Sequence, residues 1–343
     1  MTKCKKSIKC DPRKYKTFNY PDSVPGGKTL LTGIRGVECK PKRVYISGFY
    51  EPAASEPDQQ VKSFVYKGSC RDGTWHELYY PDSSVTNLYG PNNGRRKKNI
   101  QVVGNYVPSN STNNLPVGCL YQGKLDGSGK WTSLSPTFPC EDDEVLGVIA
   151  HSTMGGLVVG NYDTQIDENK AFIYDIKTKC YHKIENKNDI SITAYGIWHN
   201  ECDSYTICGG YKSIGFGSFE KAYLVDWDNN THKLSNWRSY VYDNDLKSEI
   251  THFNGITGDR NYGYNLVGDW VGIENPGLGF FASVKRDKCT GKFKKAKWGP
   301  IKFPLENSIT SANSVYKDNV IGVYTTELGV NGFISKVKNH KYK

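Results

Sequence analysis

Histidines, clustered carboxylates and basic runs hold most of the reactive chemistry available to this 343-residue chain. His151, His199 and His252 fall in or near equivalent segments of a repeat, and three imidazoles converging from repeated units would make a metal site. Measured from the nearest repeat glycine, they stand at plus four from Gly147, plus three from Gly196 and minus three from Gly255. They share no register, so the sequence predicts structural or solvent-exposed histidines and no bound metal. Asp163, Asp167 and Glu168, and the run Glu141-Asp142-Asp143-Glu144, could hold a cation or act as an acid and base pair. Acidic loop clusters are mostly solvated, however, and no GxSxG, HExxH, phosphate-loop or EF-hand spacing is present. The sequence therefore assigns no catalytic residue and no cofactor.

Basic residues are more concentrated. Lys42 and Arg43, the run Arg95-Arg96-Lys97-Lys98, and Lys292, Lys294, Lys295 and Lys297 supply much of a formal net charge of +10. Such clusters suit a polyanion, either nucleic acid or acidic glycan, or the acidic surface of another copy.

The elements that must position these groups are strands. A Gly-x-aromatic triplet recurs as Gly48-Phe49-Tyr50, Gly104-Asn105-Tyr106, Gly160-Asn161-Tyr162, Gly209-Gly210-Tyr211, Gly268-Asp269-Trp270 and Gly322-Val323-Tyr324, about 55 residues apart on average. Ahead of each triplet lies an apolar segment with a glycine, often preceded by threonine (Thr29, Thr86, Thr251, Thr310); these two elements read as strands A and B. Aromatic and aliphatic runs such as Phe64-Val65-Tyr66 and Phe172-Ile173-Tyr174 make strand C. Segments opening on Trp75, Trp131 and Trp298 and ending near proline make strand D. Four strands per unit are one blade of a β-propeller, so the fold predicted is all-β and six-bladed. The sixth unit lacks strand D, and Tyr15 to Pro21 aligns without gaps to Trp75 to Pro81. This predicts closure of the ring by residues 15–20, with residues 1–14 a basic tail and 15–343 a single domain.

Because strands alternate in direction, A-to-B and C-to-D turns emerge at one end of every unit, and D-to-A and B-to-C connections at the other. The basic clusters sort to the first end and Glu141 to Glu144, with Asp163 and Asp167, to the second, making the disc an axial dipole. Ten cysteines include no CxxC pair, which argues against a zinc ribbon or redox motif. Cys39 and Cys70, in turns at the same end of the first unit, are the expected disulfide partners. No stretch reaches the roughly 18 apolar residues of a membrane span, and the charged N-terminus does not read as a signal peptide. The sequons Asn110-Ser111-Thr112 and Asn229-Asn230-Thr231 are common by chance and are given no weight.

The phrases His151 to Asp163, Ile192 to Trp198 and Thr251 to Gly258 resemble a family of uncharacterised repeat proteins of bacteria and large amoeba-infecting DNA viruses. The resemblance spans nearly the whole chain and implies a fold but no activity. With the AT-rich codon bias that the Lys, Asn, Ile and Tyr content suggests, it points to a non-enzymatic structural or interaction protein. The expected setting is a virion, as a coat, fibre or genome-packaging element that self-assembles or binds other particle proteins. The alternative is a lectin-like carbohydrate-binding propeller, and after it a hydrolase or lyase using carboxylates scattered over separate blades.

Overall fold

The computed structural model describes residues 9–10, 14–56, 59–96, 98–138, 143–215, 217, 219–244, 248–259, 262–272 and 275–338. Apart from a short 3-10 turn at Tyr242–Asn244, the regular elements among them are β-strands. The first unit runs Lys28–Gly36, Val44–Glu51, Lys62–Gly68 and Gly73–Glu77, each antiparallel to the one before. Ser83–Asn93, Ile100–Pro108, Val117–Gly123 and Lys130–Leu134 form the second, and Val145–Met154, Leu157–Thr164, Lys170–Asp175 and Tyr181–Ile184 the third. In the fourth, strand A is interrupted into Asp189–Ile192 and Gly196–His199, followed by Ser204–Ser213, Lys221–Asp228 and Lys233–Tyr240. Ser248–Asp259, Gly263–Gly272, Asn275–Lys285 and Lys297–Ile301 make the fifth.

The last unit contributes Thr310–Tyr316, Asn319–Thr326 and Gly329–Lys338 in sequence order. Its outer neighbour comes from the other end of the chain: Lys16 pairs with Ile334 and Thr17 with Phe333, antiparallel. Single parallel bridges, Leu278 with Thr310 and Val330 with Lys28, join the fifth unit to the last and the last to the first.

Two repeated residues have a local cause. Each uninterrupted strand A carries a register slip, for example between Leu88 and Pro91 and between Phe253 and Gly255, which turns a carbonyl towards the facing triplet. A Cβ on Gly104 would lie 1.9 Å from the Asn87 carbonyl oxygen, and one on Gly268 1.8 Å from that of His252, so only glycine fits there. The repeated threonine accepts a backbone hydrogen bond from the aromatic residue that ends the preceding strand D. Tyr20 N donates to Thr29 Oγ1 at 3.2 Å, Tyr80 N to Thr86 at 3.0 Å, Tyr242 N to Thr251 at 3.1 Å and Phe303 N to Thr310 at 3.1 Å. In three of the four that aromatic residue precedes a proline, Pro21, Pro81 or Pro304, so the same turn is fixed from both sides.

Apolar burial lies between neighbouring sheets. Ile173 and Ala171 of the third unit pack with Ile207 and Tyr223 of the fourth, and Leu224 with Leu266 and Phe280 of the fifth. Phe18, Tyr20, Leu31 and Phe64 form one such cluster with Ile321 and Ile334 of the last unit. Faces of this kind, each covered by the next sheet, fix the innermost strands around a common axis. The void left there among the described residues is about 20 Å³, close to the room a single water needs.

Candidate functional site

At the end where D-to-A and B-to-C connections emerge, strands A and the middle residues of the triplets bring a polar and aromatic cluster to the axis. Tyr89 stands edge-on to His151 (ring centroids 5.2 Å), His151 edge-on to Tyr195 (4.8 Å), and Tyr195 lies 6.0 Å from the His252 ring. His252 Nε2 sits 2.6 Å from Glu220 Oε2, a residue of the B-to-C connection whose backbone NH donates to Glu249 O. The His252 ring occupies space that only Gly210 leaves open, since a Cβ there would lie 2.1 Å from the imidazole Cδ2.

Asp269, the middle residue of the fifth triplet, is the second carboxylate. Its Oδ1 accepts from Ala312 N (3.0 Å), while Oδ2 accepts from Asn254 Nδ2 (2.7 Å) and lies 2.7 Å from the Ser311 hydroxyl. Asn161 performs the same inter-unit tie in the third unit, accepting from Ala194 N at 2.8 Å while its amide nitrogen lies 3.3 Å from His151 Nε2.

The two carboxylates are pushed in opposite directions. The hydrogen bond and charge of His252 hold Glu220 below the usual carboxylate range. Burial raises Asp269 despite its three donors. Burial also pushes the Tyr89 hydroxyl up to about 12, raises Tyr195 with help from Glu220 and Asp269, and lowers His151 to about 3, so that this imidazole is neutral. An ionised carboxylate beside an imidazole, a carboxyl that holds its proton to higher pH and a row of rings together make a site able to bind a polyhydroxylated ligand and exchange protons with it.

The sequence-predicted residues fall elsewhere. His151 and His252 enter the cluster, whereas His199 lies at the opposite end, its Nε2 2.5 Å from Cys202 O, which explains the missing common register. No cluster of metal-ligating side chains occurs among the described residues. Lys42, Arg43, Arg95, Arg96, Lys98, Lys292, Lys294, Lys295 and Lys297 are exposed on A-to-B and C-to-D segments, and Lys294 pairs with Asp287 at 3.1 Å. Asp143 and Glu144 are exposed ahead of the third unit, and Glu144 accepts from Gln165 at 2.8 Å. Lys97, Glu141 and Asp142 lie outside the described residues. Asp163 and Asp167 are engaged locally, the first by Asn169 N and the second by Lys170.

The expected disulfide is not formed. Cys39 and Cys70 are both free: Cys39 stands in an inner turn beside the axis, while Cys70 packs outward, 3.9 Å from Asn319 Oδ1 of the last unit. Sharing one end of a sheet did not bring them together because A-to-B and C-to-D turns differ in radius.

Tyr89, Tyr195, Glu220 and Asp269 were missed. For Asp269 the available signal was the middle of the triplet, where Phe, Asn, Asn, Gly, Asp and Val alternate between units while the flanking residues repeat; no such signal marked the other three.

No family model and no curated protein matches this chain. Among solved structures it is similar to the GH93 α-L-arabinofuranosidase of Fusarium graminearum in complex with arabinobiose, at 12% identity and TM-score 0.50, covering 94% of this chain and 97% of that one. The α-L-arabinanase of Penicillium chrysogenum, also with arabinobiose, gives 12% identity and TM-score 0.50 over 94% and 98%. A Trypanosoma rangeli sialidase mutant displaying trans-sialidase activity gives 11% and 0.52, with 96% of this chain matched to 57% of the sialidase. The fold is a β-propeller. This corrects two expectations from sequence. The non-enzymatic coat, fibre or genome-packaging protein, and the expectation that the chain is not an enzyme, rested on the repeat-family resemblance and on residue composition; the solved propellers it is similar to are an arabinofuranosidase, an arabinanase and a sialidase.

Proposed function

We propose that this propeller is a carbohydrate-active protein that binds a glycan across the axial cluster and hydrolyses a glycosidic bond there. The observation that carries this is the convergence of two carboxylates on His252: Glu220 Oε2 lies 2.6 Å from its Nε2, and Asp269 is its cross-strand partner. Glycoside hydrolysis needs a carboxyl that protonates the leaving oxygen and a carboxylate that stabilises or attacks the developing cation. Asp269 suits the first role and Glu220 the second. Tyr89 and Tyr195 offer faces for the C–H surfaces of sugar rings. The fold shared with enzymes of this substrate class is in keeping with the assignment.

The test is release of reducing sugar from arabinan oligosaccharides and from a sialoside panel, with binding measured in parallel. Glu220→Gln should lower turnover at least about 100-fold while leaving binding within a few-fold. Binding without turnover would favour the second reading, a lectin-like propeller in which the Ser311 and Ala312 donors to Asp269 serve only to tie the fifth unit to the last. Neither binding nor turnover across the panel would remove both.

We also infer that the units form a six-bladed ring in which residues 15–20 complete the last blade. The Lys16–Ile334 and Thr17–Phe333 pairing and the apolar cluster that joins the first unit to the last support this arrangement. It leaves residues 15–343 as one domain.

A further inference from the structure

The opposite end of the axis opens into a mouth of about 690 Å³, bounded by A-to-B turns, and the side chain at its floor is Arg35. Arg35 is only 7% exposed and lines both this mouth and the narrow axial void. A guanidinium so buried ordinarily meets a carboxylate, because removing its charge from water without compensation is costly. Here it does not. Nη1 donates one long bond, 3.4 Å, to Ile256 O, and the guanidinium lies 5.5 Å from the Trp198 ring centre, while Nε is buried without a partner. Burial with no neighbouring carboxylate lowers this arginine to about 10. The remaining charges of the mouth are Lys40 and Lys317 against exposed Glu38, so its field is positive. Asn92, whose Oδ1 is taken by Asn93 N, lines the same wall and keeps its amide nitrogen for another acceptor.

We propose that this mouth is a binding site for a small oxyanion, a carboxylate or a phosphoryl or sulfuryl group. Two oxygens of the anion would meet the Nη1 and Nη2 end of the Arg35 guanidinium, above the buried Nε, with Lys317 and Asn92 supporting it. A planar fork with a free edge selects ligands that present two oxygens on one side, which a halide does not. The site is distinct from the glycan-binding cluster: it opens at the other end of the axis and shares none of that cluster's carboxylates, although Arg35 borders the same axial void as His151 and Tyr195.

The experiment is calorimetric titration of the full chain with sodium phosphate, sulfate and acetate at constant ionic strength. One saturable site per chain is expected, with at least tenfold weaker binding in Arg35→Met, a few-fold loss in Lys317→Ala, and no change in Lys130→Ala, an exposed lysine on the outer strand of the second unit. Preference for phosphate or sulfate over acetate would identify the phosphoryl or sulfuryl class, and the reverse the carboxylate class. Should Arg35→Met fail to fold by circular dichroism, Arg35→Lys, which keeps the charge but not the fork, must lose the preference for oxyanions over chloride. Heats of dilution alone in the wild-type chain, or saturable binding undiminished in a folded Arg35 variant, would overturn the proposal and leave only solvent at this arginine.

Discussion

Replacing Phe18 by alanine tests the strand that reaches back from the N-terminal region to the last unit. Phe18 is 8% exposed, lies edge-on to Tyr66 at 5.0 Å and tilted over Trp75 at 5.3 Å, and its NH donates to Gly332 O at 2.8 Å. Truncating a buried phenylalanine costs about 3–5 kcal/mol, made up of lost transfer energy and a residual cavity. The unfolding entropy of a chain this size is about 0.7 kcal/mol/K at the usual per-residue value, so the melting temperature should fall by roughly 4–7 °C. Lys16→Ala is the control, because Lys16 belongs to the same strand but is exposed and keeps its main-chain pairing with Ile334. Differential scanning calorimetry should show a shift under about 1 °C for that variant. If Phe18→Ala melts within a degree of the wild type, or if both variants shift equally, the strand contributes no specific packing and the argument fails. Removing residues 1–21 should do more than Phe18→Ala, since it also takes away Tyr15 against Phe333, the Thr17 hydroxyl bond to Tyr324, and Tyr20 against Tyr50 and Phe64.

Two further outcomes are expected. Asp189 is raised to about 7 by burial, and its Oδ1 has no partner; the folded state therefore binds that proton more tightly than the unfolded chain, and stability should fall as pH rises from about 4 to 7. Melting curves of Asp189→Asn should lose that part of the slope, and an unchanged difference between the two proteins from pH 4.5 to 8 would count against it. Arg286 forks onto the buried Asp226, with Nη1 to Oδ2 at 2.9 Å, and also donates to Tyr264 OH and Gly291 O. Arg286→Met should cost about 3–5 kcal/mol in urea unfolding by leaving Asp226 without its cation, and Asp226→Asn in the same background should restore part of the loss. A loss below about 0.5 kcal/mol would refute it.

What the sequence disclosed was whatever every unit needs for the same local reason. The triplet glycines recur because each faces a bulged carbonyl, and Thr29, Thr86, Thr251 and Thr310 recur because each receives one backbone NH. Periodicity detects such demands. The candidate site follows the opposite rule, being built where units differ. Asp269 stands where Gly210 and Val323 stand in other units, and Glu220 comes from a B-to-C connection whose sequence does not repeat between units. His151 and His252 drew attention as residue types, but their shared neighbour Tyr195 joins them through space and not through register. The disulfide expectation failed for a related reason, since sequence gives the end of a sheet at which a turn lies but not its distance from the axis.

The pairing of Lys16 and Thr17 with Ile334 and Phe333 also constrains how the protein is made. Thr17 and its hydrogen-bonding partner Tyr324 are 307 positions apart. At roughly 5–20 residues per second, a ribosome delivers that partner on the order of 15–60 s after the first strand appears. Throughout that interval Phe18 and Tyr20 lack part of their apolar surroundings, and the edge of every newly finished sheet lies open to strands of neighbouring nascent chains. Folding yield should therefore depend on translation speed and on chaperones that shield the early units, even under conditions where the finished protein is stable.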